Sequence, residues 1–215
     1  MDLSYGTDYD SFRGELRSFL DEHASEAPSN QRDYRSEKAV AWQKKLIELG
    51  YTSRTVPKRY GGFGAEPDIL ISRILADEFA AAKATAGFGG QGIAMLIPTL
   101  LELGTEEQKR EIIPPTLLGE MLWCQGYSEP EAGSDLASLR TNASLDGDEW
   151  VINGSKIWTS TAHIADQMFC LVRTEPDAPK HDGISFLLLS MDTPGIEVRP
   201  LLDMTENKYF NEVFF

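Results

Sequence analysis

The chain has 215 residues, of which 41% are hydrophobic and 25% are charged, as in an ordinary globular protein. Its formal net charge of −14 argues against binding to nucleic acid, because such binding depends on Lys and Arg releasing counterions from phosphates. No stretch approaches the ~18 uninterrupted apolar residues of a membrane-spanning helix, so membrane insertion is not expected.

The cysteine content and the N-terminus favour a reducing compartment. Cys124 and Cys170 are too few for a disulfide scaffold. The first ten residues are acidic and lack the positive-then-apolar order of a secretion signal. We therefore expect a cytoplasmic protein. The three histidines are scattered without metal-ligand spacing, and no metal site is predicted.

Helical periodicity runs through residues 1–120, which we predict to form an all-helical domain. A first helix carries Phe12, Leu16, Phe19 and Leu20 on one face, with Thr7 or Asp8 as its cap. A second helix spans about 36–49, buries Trp42, Leu46 and Leu49, and closes at a left-handed Gly50.

Further helices follow a loop at residues 57–64, which is rich in helix and strand breakers. One carries Ile71, Ile74, Leu75 and Phe79, and another spans about 92–103 and ends at Gly104. Residues 105–108 form a capping box that opens a short helix, which Pro114 and Pro115 are expected to terminate.

Residues 121–215 change to short β-forming runs separated by turn signals, such as the pairs Asp146-Gly147 and Asn153-Gly154. This spacing predicts an antiparallel β-domain, barrel-like or sandwich-like, and an α+β fold overall. The last five residues have the pattern of a strand interior, so the β-domain is expected to be incomplete at its C-terminal end.

The stretch 125–135, QGYSEPEAGSD, has the composition of a ligand-binding loop. Pro130 fixes a backbone angle, Gly133 permits conformations closed to other residues, and Ser128 and Ser134 flank the turn. Such a loop can present hydroxyl and N–H groups to a polar ring or a phosphate. A turn that merely joins two domains is an equal alternative.

A second stretch, 154–166, follows the predicted Asn-Gly hairpin and reads GSKIWTSTAHIAD. It places Trp158 directly before Thr159, Ser160 and Thr161, a combination that suits a flat heteroaromatic ligand. The alternative is a Trp buried in the sheet core among ordinary strand residues, and for an isolated motif that alternative is favoured.

Taken together, the two stretches resemble the acyl-CoA dehydrogenase family. The pattern is EPxAGSD followed about 20 residues later by GxKxWxT(S/N), although here Thr159 follows Trp158 directly. The resemblance extends from roughly Asp8 to Phe215 and includes YGG, LLELGTEEQKREIIPP and GIEVRPL.

The resemblance implies a helical domain and a middle β-domain, followed in the family by a C-terminal helical bundle, with FAD between the last two. The implied cofactor-binding residues are Gln125, Gly126, Tyr127, Ser128, Gly133, Ser134, Trp158, Thr159 and Ser160. Among these, Ser128 would contact the flavin pyrimidine, and Ser134 would lie towards the pyrophosphate and the CoA end of the substrate. Trp158 would pack on the flavin ring, and Thr159 and Ser160 would approach flavin N5.

The implied activity is that of a flavoprotein oxidoreductase of fatty acid and lipid metabolism, which dehydrogenates acyl-CoA thioesters at the α,β bond. A carboxylate removes the α-proton while hydride passes to the flavin, and electrons then pass to an electron-transfer flavoprotein. Family members are homo-oligomers, and their catalytic Glu lies in the C-terminal bundle. We therefore assign no catalytic residue between Met1 and Phe215, and Glu129 is given a structural role.

Two alternatives stay open at this point. One is an acyl-CoA oxidase of the same fold, which passes its electrons directly to oxygen. The other is a non-catalytic FAD- or CoA-binding subunit, or a fragment of this fold. The sequence leaves acyl chain length and branching undetermined, since pocket-lining positions do not follow from these motifs.

Overall fold

The computed structural model describes residues 6–30 and 33–215, and the chain divides into two compact units, residues 1–120 and 121–215. The first five residues of the acidic N-terminus lie outside the described residues. Within the described ranges, no helix combines the length and the apolar character needed to cross a bilayer.

The first unit is helical, as the periodicity predicts. Its α-helices are α1 Thr7–His23, α2 Glu37–Glu48, α3 Ile69–Ala81, α4 Ile97–Leu103 and α5 Glu106–Leu117. A π-helical turn, Gly92–Leu96, leads into α4, so the predicted single helix over 92–103 has two parts. The core packs α1, α2 and α3 together through Leu16, Leu20, Trp42, Leu46, Ile74, Leu75 and Phe79.

The predicted capping box of α5 is confirmed, and α2 also begins with a side-chain cap. The Ser36 hydroxyl accepts a hydrogen bond from the Ala39 N–H, and Thr105 forms a reciprocal capping box with Gln108. Gly50 has the predicted left-handed conformation, with φ of 71°.

Two details of these helices differ from prediction. The N-cap of α1 is Gly6, because Thr7 is already helical and cannot adopt the extended geometry of a capping residue. Leu49 is 46% exposed, because it forms the C-cap of α2 rather than a position on its buried face.

The prolines do not end α5, which continues through Pro114 and Pro115 to Leu117. The missing proline N–H groups leave the carbonyls of Arg110 and Glu111 without helical donors. Both residues are exposed, so water can satisfy these carbonyls, while Leu117 is buried and holds the final turn.

The second unit consists of two sheets. Its strands are β1 Trp123–Gly126, β2 Asn142–Asp146, β3 Glu149–Asn153, β4 Ser155–Ser160, β5 Gln167–Arg173, β6 Ile184–Ser190, β7 Glu197–Leu201 and β8 Phe210–Phe214. One sheet has the order β1-β5-β2-β3 with β6 also paired to β5, and the other has the order β4-β8-β7.

The α+β class is confirmed, but the pairing in the larger sheet is mixed. Strands β1 and β2 run parallel to β5, whereas the other pairs are antiparallel. Parallel neighbours need a long crossover connection. The segment between β1 and β5 contains three other strands and provides one.

Only one of the two predicted turn pairs closes a hairpin. Asp146 pairs with Glu149, so Gly147, with φ of 61°, lies in a two-residue turn between β2 and β3. Asn153-Gly154 instead connects different sheets, because β3 pairs with β2 and β4 pairs with β8. A Cβ at Gly154 would lie 2.7 Å from Thr141 Cα, so this glycine permits a close backbone approach.

Candidate functional site

The first sequence stretch leaves β1 and forms a loop, residues 127–141, that we call the Glu129 loop. Gln125 and Gly126 are still part of β1, opposite Phe169 and Cys170 of β5. Gly126 is buried, and a Cβ there would lie 2.6 Å from the sulfur of Met168. Packing inside the unit therefore already requires this glycine.

Glu129 is at the centre of the loop and is only 8% exposed. Its Oε1 accepts hydrogen bonds from Lys156 Nζ and the Thr141 N–H, both at 2.8 Å. Its Oε2 accepts from the Arg140 N–H at 2.6 Å. Burial raises the pKa of Glu129, but the hydrogen bonds from Lys156, Arg140 and Thr141 outweigh burial and lower it below its ordinary value.

The turn of the loop is made by Pro130 and Glu131. Glu129 and Ala132 exchange two backbone hydrogen bonds across it, at 2.8 and 3.1 Å. Glu131 is exposed and forms a 2.6 Å ion pair with Arg140. Gly133 has no positive φ and open space around its Cβ position, so the predicted need for glycine freedom at this position does not arise.

Two of the three serines of the loop, Ser128 and Ser134, offer unused hydrogen-bonding groups among the described residues. Within the described ranges, the hydroxyls of Ser128 and Ser134 make no hydrogen bond to another residue. Ser128 is half-buried and Ser134 is exposed. Asp135 follows Ser134 and accepts a hydrogen bond from Lys180. The hydrogen bonds from Lys180 and from the Ser138 hydroxyl both lower the pKa of the Asp135 carboxyl.

Trp158 lies on the surface and not in the sheet core. Its side chain is 60% exposed and touches Phe210 edge-on, with ring centroids 5.9 Å apart. Its φ is 60°, in the left-handed region that a bulky side chain rarely adopts, and Thr161 has a φ of 59°. The register of β4 against β8 shifts between Lys156 and Thr159, so a bulge turns the Trp158 side chain outward.

The next residue, Thr159, points inward. It is 1% exposed, and its hydroxyl has no hydrogen-bond partner among the described residues. Its carbonyl accepts from Asn211 Nδ2 at 2.9 Å, and Asn211 Oδ1 lies 3.2 Å from His163 Nδ1. Ser160 is half-buried.

The structure brings the two sequence stretches together. The Ile157 N–H donates to the Ser128 carbonyl at 2.8 Å, directly before Trp158. Lys156, which was not among the predicted site residues, also donates to the Tyr127 carbonyl at 3.1 Å. The available signal was a lysine inside a predicted strand of the β-domain, because a lysine that is fully buried must have a partner.

A cavity of about 560 Å³ adjoins the Glu129 loop on the side of Arg140, Asn142, Asn153 and Phe214. None of the nine predicted cofactor-binding residues lines it.

Both cysteines are buried, and burial raises the pKa of Cys124 as well as that of Cys170, the latter to about 11. They are therefore packing residues rather than nucleophiles.

Comparison of the sequence with known protein families shows where these two units occur together. The acyl-CoA dehydrogenase N-terminal domain matches residues 7–120, and the acyl-CoA dehydrogenase middle domain matches residues 124–215. The chain belongs to the acyl-CoA dehydrogenase family. The family is one of enzymes, and the predicted resemblance is confirmed.

Individual relatives agree. The acyl-CoA dehydrogenase IpdE1 of Mycobacterium tuberculosis is 41% identical over 217 residues, which cover 97% of this chain and 56% of the relative. The chain thus spans about half the length of this curated relative. The ChsE4-ChsE5 complex of Mycobacterium tuberculosis is similar in structure, with a TM-score of 0.77, 34% identity, and coverage of 100% of this chain and 54% of that one. A structure named "Tcur3481-Tcur3483 steroid ACAD" has a TM-score of 0.77 and 35% identity, with coverage of 100% and 56%.

The residues of the second unit fit FAD, the cofactor that the family implies. A flat isoalloxazine ring needs an exposed aromatic or apolar surface with polar groups beside it. Trp158 supplies an exposed indole held in a strained conformation. The Ser128 hydroxyl, next to the strand that carries Trp158, has no hydrogen-bond partner among the described residues. The unpartnered Thr159 hydroxyl marks the same segment as one whose polar groups are not all satisfied within the chain.

Proposed function

We propose that this chain supplies the flavin-facing part of an acyl-CoA dehydrogenase, which oxidises acyl-CoA thioesters at the α,β bond. The observation that carries the proposal is the exposure and strained backbone of Trp158 beside Ser128. Strain of this kind persists where the surrounding structure enforces it and clusters at functional sites.

When bound at the proposed site, FAD would supply the acceptor for the hydride that leaves the β-carbon of the thioester. Trp158 would stack against the ring, while Gln125, Gly126, Tyr127 and Ser128 would follow its edge. Gly133 and Ser134 would lie towards the pyrophosphate, with Ser134 also close to the substrate. Thr159 and Ser160 would approach N5.

Glu129 does not suit the role of catalytic base. A general base must hold a pKa near the working pH and reach the substrate proton. The pKa of Glu129 is lowered, and hydrogen-bond donors occupy both of its carboxylate oxygens. This agrees with the expectation that the base of this family lies in a C-terminal bundle, and we propose none within residues 1–215.

We propose the electron-transfer flavoprotein as the electron acceptor and a homo-oligomer as the working assembly. Assembly with further subunits is supported by the similarity to the ChsE4-ChsE5 complex. The substrate panel for any test should include CoA thioesters of steroid side chains beside straight and branched fatty acyl-CoA, because one structural neighbour is named a steroid ACAD.

An anaerobic visible spectrum of the purified chain with added FAD tests the proposal, before and after each thioester is added. We expect a bound-flavin band with resolved shoulders, which free FAD lacks. Bleaching by one thioester would identify the substrate class and require a base from this chain or a neighbouring one. Binding without bleaching supports the flavin site and places the base outside residues 1–215.

The alternatives give different results. Rapid reoxidation of the bleached flavin by air, without an electron-transfer flavoprotein, would identify an acyl-CoA oxidase. Failure of the chain to bind FAD would contradict the proposal that these residues bind flavin by themselves, and the chain would be a fragment or a ligand-free relative of the fold. The same test on any longer product would decide between these two.

A further inference from the structure

Glu129 and Lys156 belong to the two stretches that carry the family resemblance, and they meet inside the second unit. Lys156 is 0% exposed, and its Nζ lies 2.8 Å from Glu129 Oε1. The same Nζ donates to the Tyr127 carbonyl, so one ammonium group binds the loop at two points.

The carboxylate binds the loop at its other end. Its hydrogen bonds from the Arg140 and Thr141 N–H groups fix residues 140 and 141 against residue 129. The Glu129 side chain thus connects the start of the Glu129 loop to its end. Four hydrogen bonds connect the Glu129 carboxylate and the Lys156 ammonium to the loop and to each other, and all four are buried or half-buried.

Strand β4 continues from Lys156 directly to Trp158. The Ile157 N–H, between them, donates to the Ser128 carbonyl at 2.8 Å. The ion pair and this backbone bond therefore define how far Ser128 lies from Trp158, the two residues proposed to contact the edge and the face of the flavin ring.

We propose that the Glu129–Lys156 ion pair is a positioning element, which sets the spacing between Ser128 and Trp158 and thereby the affinity for flavin. The inference rests on the proposed function of the site. Neither side chain touches the cofactor in this scheme, and the effect passes through the backbone at Tyr127, Ser128 and Ile157.

The chemistry of the contacts makes a carboxylate necessary at position 129. The groups that face the two oxygens act as donors: Lys156 Nζ, the Arg140 N–H, and the N–H and hydroxyl of Thr141. An amide at this position turns its own NH₂ towards one of these donors, whichever way it is oriented. Glu129→Gln is therefore isosteric but leaves a donor facing a donor and the Lys156 charge unpaired.

Three variants test the proposal by FAD titration, thermal unfolding and hydrogen exchange of the segments 125–135 and 154–162. Glu129→Gln removes the pair. Glu197→Gln makes the same change in an exposed ion pair of the same unit, 2.8 Å from Arg199. The double variant Glu129→Gln/Lys156→Met removes both charges and so avoids a buried unpaired ammonium.

We expect Glu129→Gln to weaken FAD binding about tenfold or more, because a site must hold its groups within about 0.5 Å of the productive geometry. Glu197→Gln should bind FAD like the wild type. The double variant should recover much of the thermal stability, yet it should still bind FAD weakly and exchange the Ile157 amide faster than the wild type. This combination separates positioning from stability.

Recovery of FAD affinity together with thermal stability in the double variant would overturn the proposal, because the pair would then only stabilise the fold. If the wild-type chain binds no FAD, the proposed function fails but hydrogen exchange still decides this inference. Faster exchange at Ile157 in the double variant then supports positioning, and unchanged exchange contradicts it. If Glu129→Gln does not fold, both FAD affinity and hydrogen exchange at Ile157 are measured on the double variant.

Discussion

Lys156 and Glu129 form an ion pair that solvent hardly reaches: Nζ lies 2.8 Å from Oε1, and the side chains are 0% and 7% exposed. The partners are 27 residues apart in sequence. A pair of this kind adds little net stability over an apolar pair, but removal of one partner leaves a buried charge without compensation.

Lys156→Met should therefore lower the free energy of unfolding by about 3–5 kcal/mol. The matched control is Lys180→Met, which makes the same change in the exposed ion pair with Asp135 and should have little effect. Urea denaturation of both variants measures the difference. Equal losses would show that water reaches the Glu129–Lys156 pair in solution.

The stability of the chain should also depend on the ionisation of Glu129. Its folded-state pKa lies below its ordinary value of 4.5, so its contribution is present above pH 4.5 and is lost as pH falls through the folded-state pKa. The gap in unfolding free energy between wild type and Glu129→Gln should thus be large at pH 7 and shrink below about pH 4. The control is Glu149→Gln, at an exposed position of β3, which should change stability little at either pH. A difference in unfolding free energy between wild type and Glu129→Gln that does not vary with pH would refute the expectation.

Trp158 permits a test of backbone strain. Trp158→Ala and Trp158→Gly both remove the indole and its contact with Phe210, but only glycine adopts a φ of 60° without a Cβ clash. The glycine variant should be more stable than the alanine variant by about 1 kcal/mol. Both should bind FAD more weakly than the wild type, since both lack the ring. Equal stability of the two variants would mean that the bulge relaxes in solution.

Gly154 should not tolerate a side chain. A Cβ there would lie 2.5 Å from Thr141 Oγ1 and 2.7 Å from Thr141 Cα, and φ is 148°. We expect Gly154→Ala to cost about 2 kcal/mol or more. Gly133→Ala is the control, because nothing lies within 4 Å of its Cβ position, and thermal unfolding should show it to be nearly neutral.

The unpartnered hydroxyl of Thr159 predicts opposite effects on stability and on flavin binding. Thr159→Val keeps the shape of the side chain and removes a buried polar atom without a partner, so the unfolding free energy should rise by about 1 kcal/mol. If the hydroxyl turns to the cofactor, the same variant should bind FAD more weakly. Thr116→Val, where the hydroxyl donates to the Ile112 carbonyl at 2.7 Å, should instead lose stability. Loss of stability in Thr159→Val would show that its hydroxyl has a partner in solution.

Much of the helical unit follows from the sequence because its signals are local. The apolar spacing that buries Leu16 and Leu20, the Ser36 cap and the left-handed Gly50 each depend on residues within a few positions of one another. The Thr105 capping box is equally local. The two stretches 125–135 and 154–166 also indicate the family by their residues alone.

Tertiary structure decided what depends on distant partners. Whether Asn153-Gly154 closes a hairpin depends on β4 pairing with β8, which lies some 50 residues further along the chain. Whether Trp158 is a core residue or a surface residue depends on a bulge in that same pairing. The role of Lys156 follows only from its contact with Glu129, because a buried charge takes its meaning from the group that neutralises it.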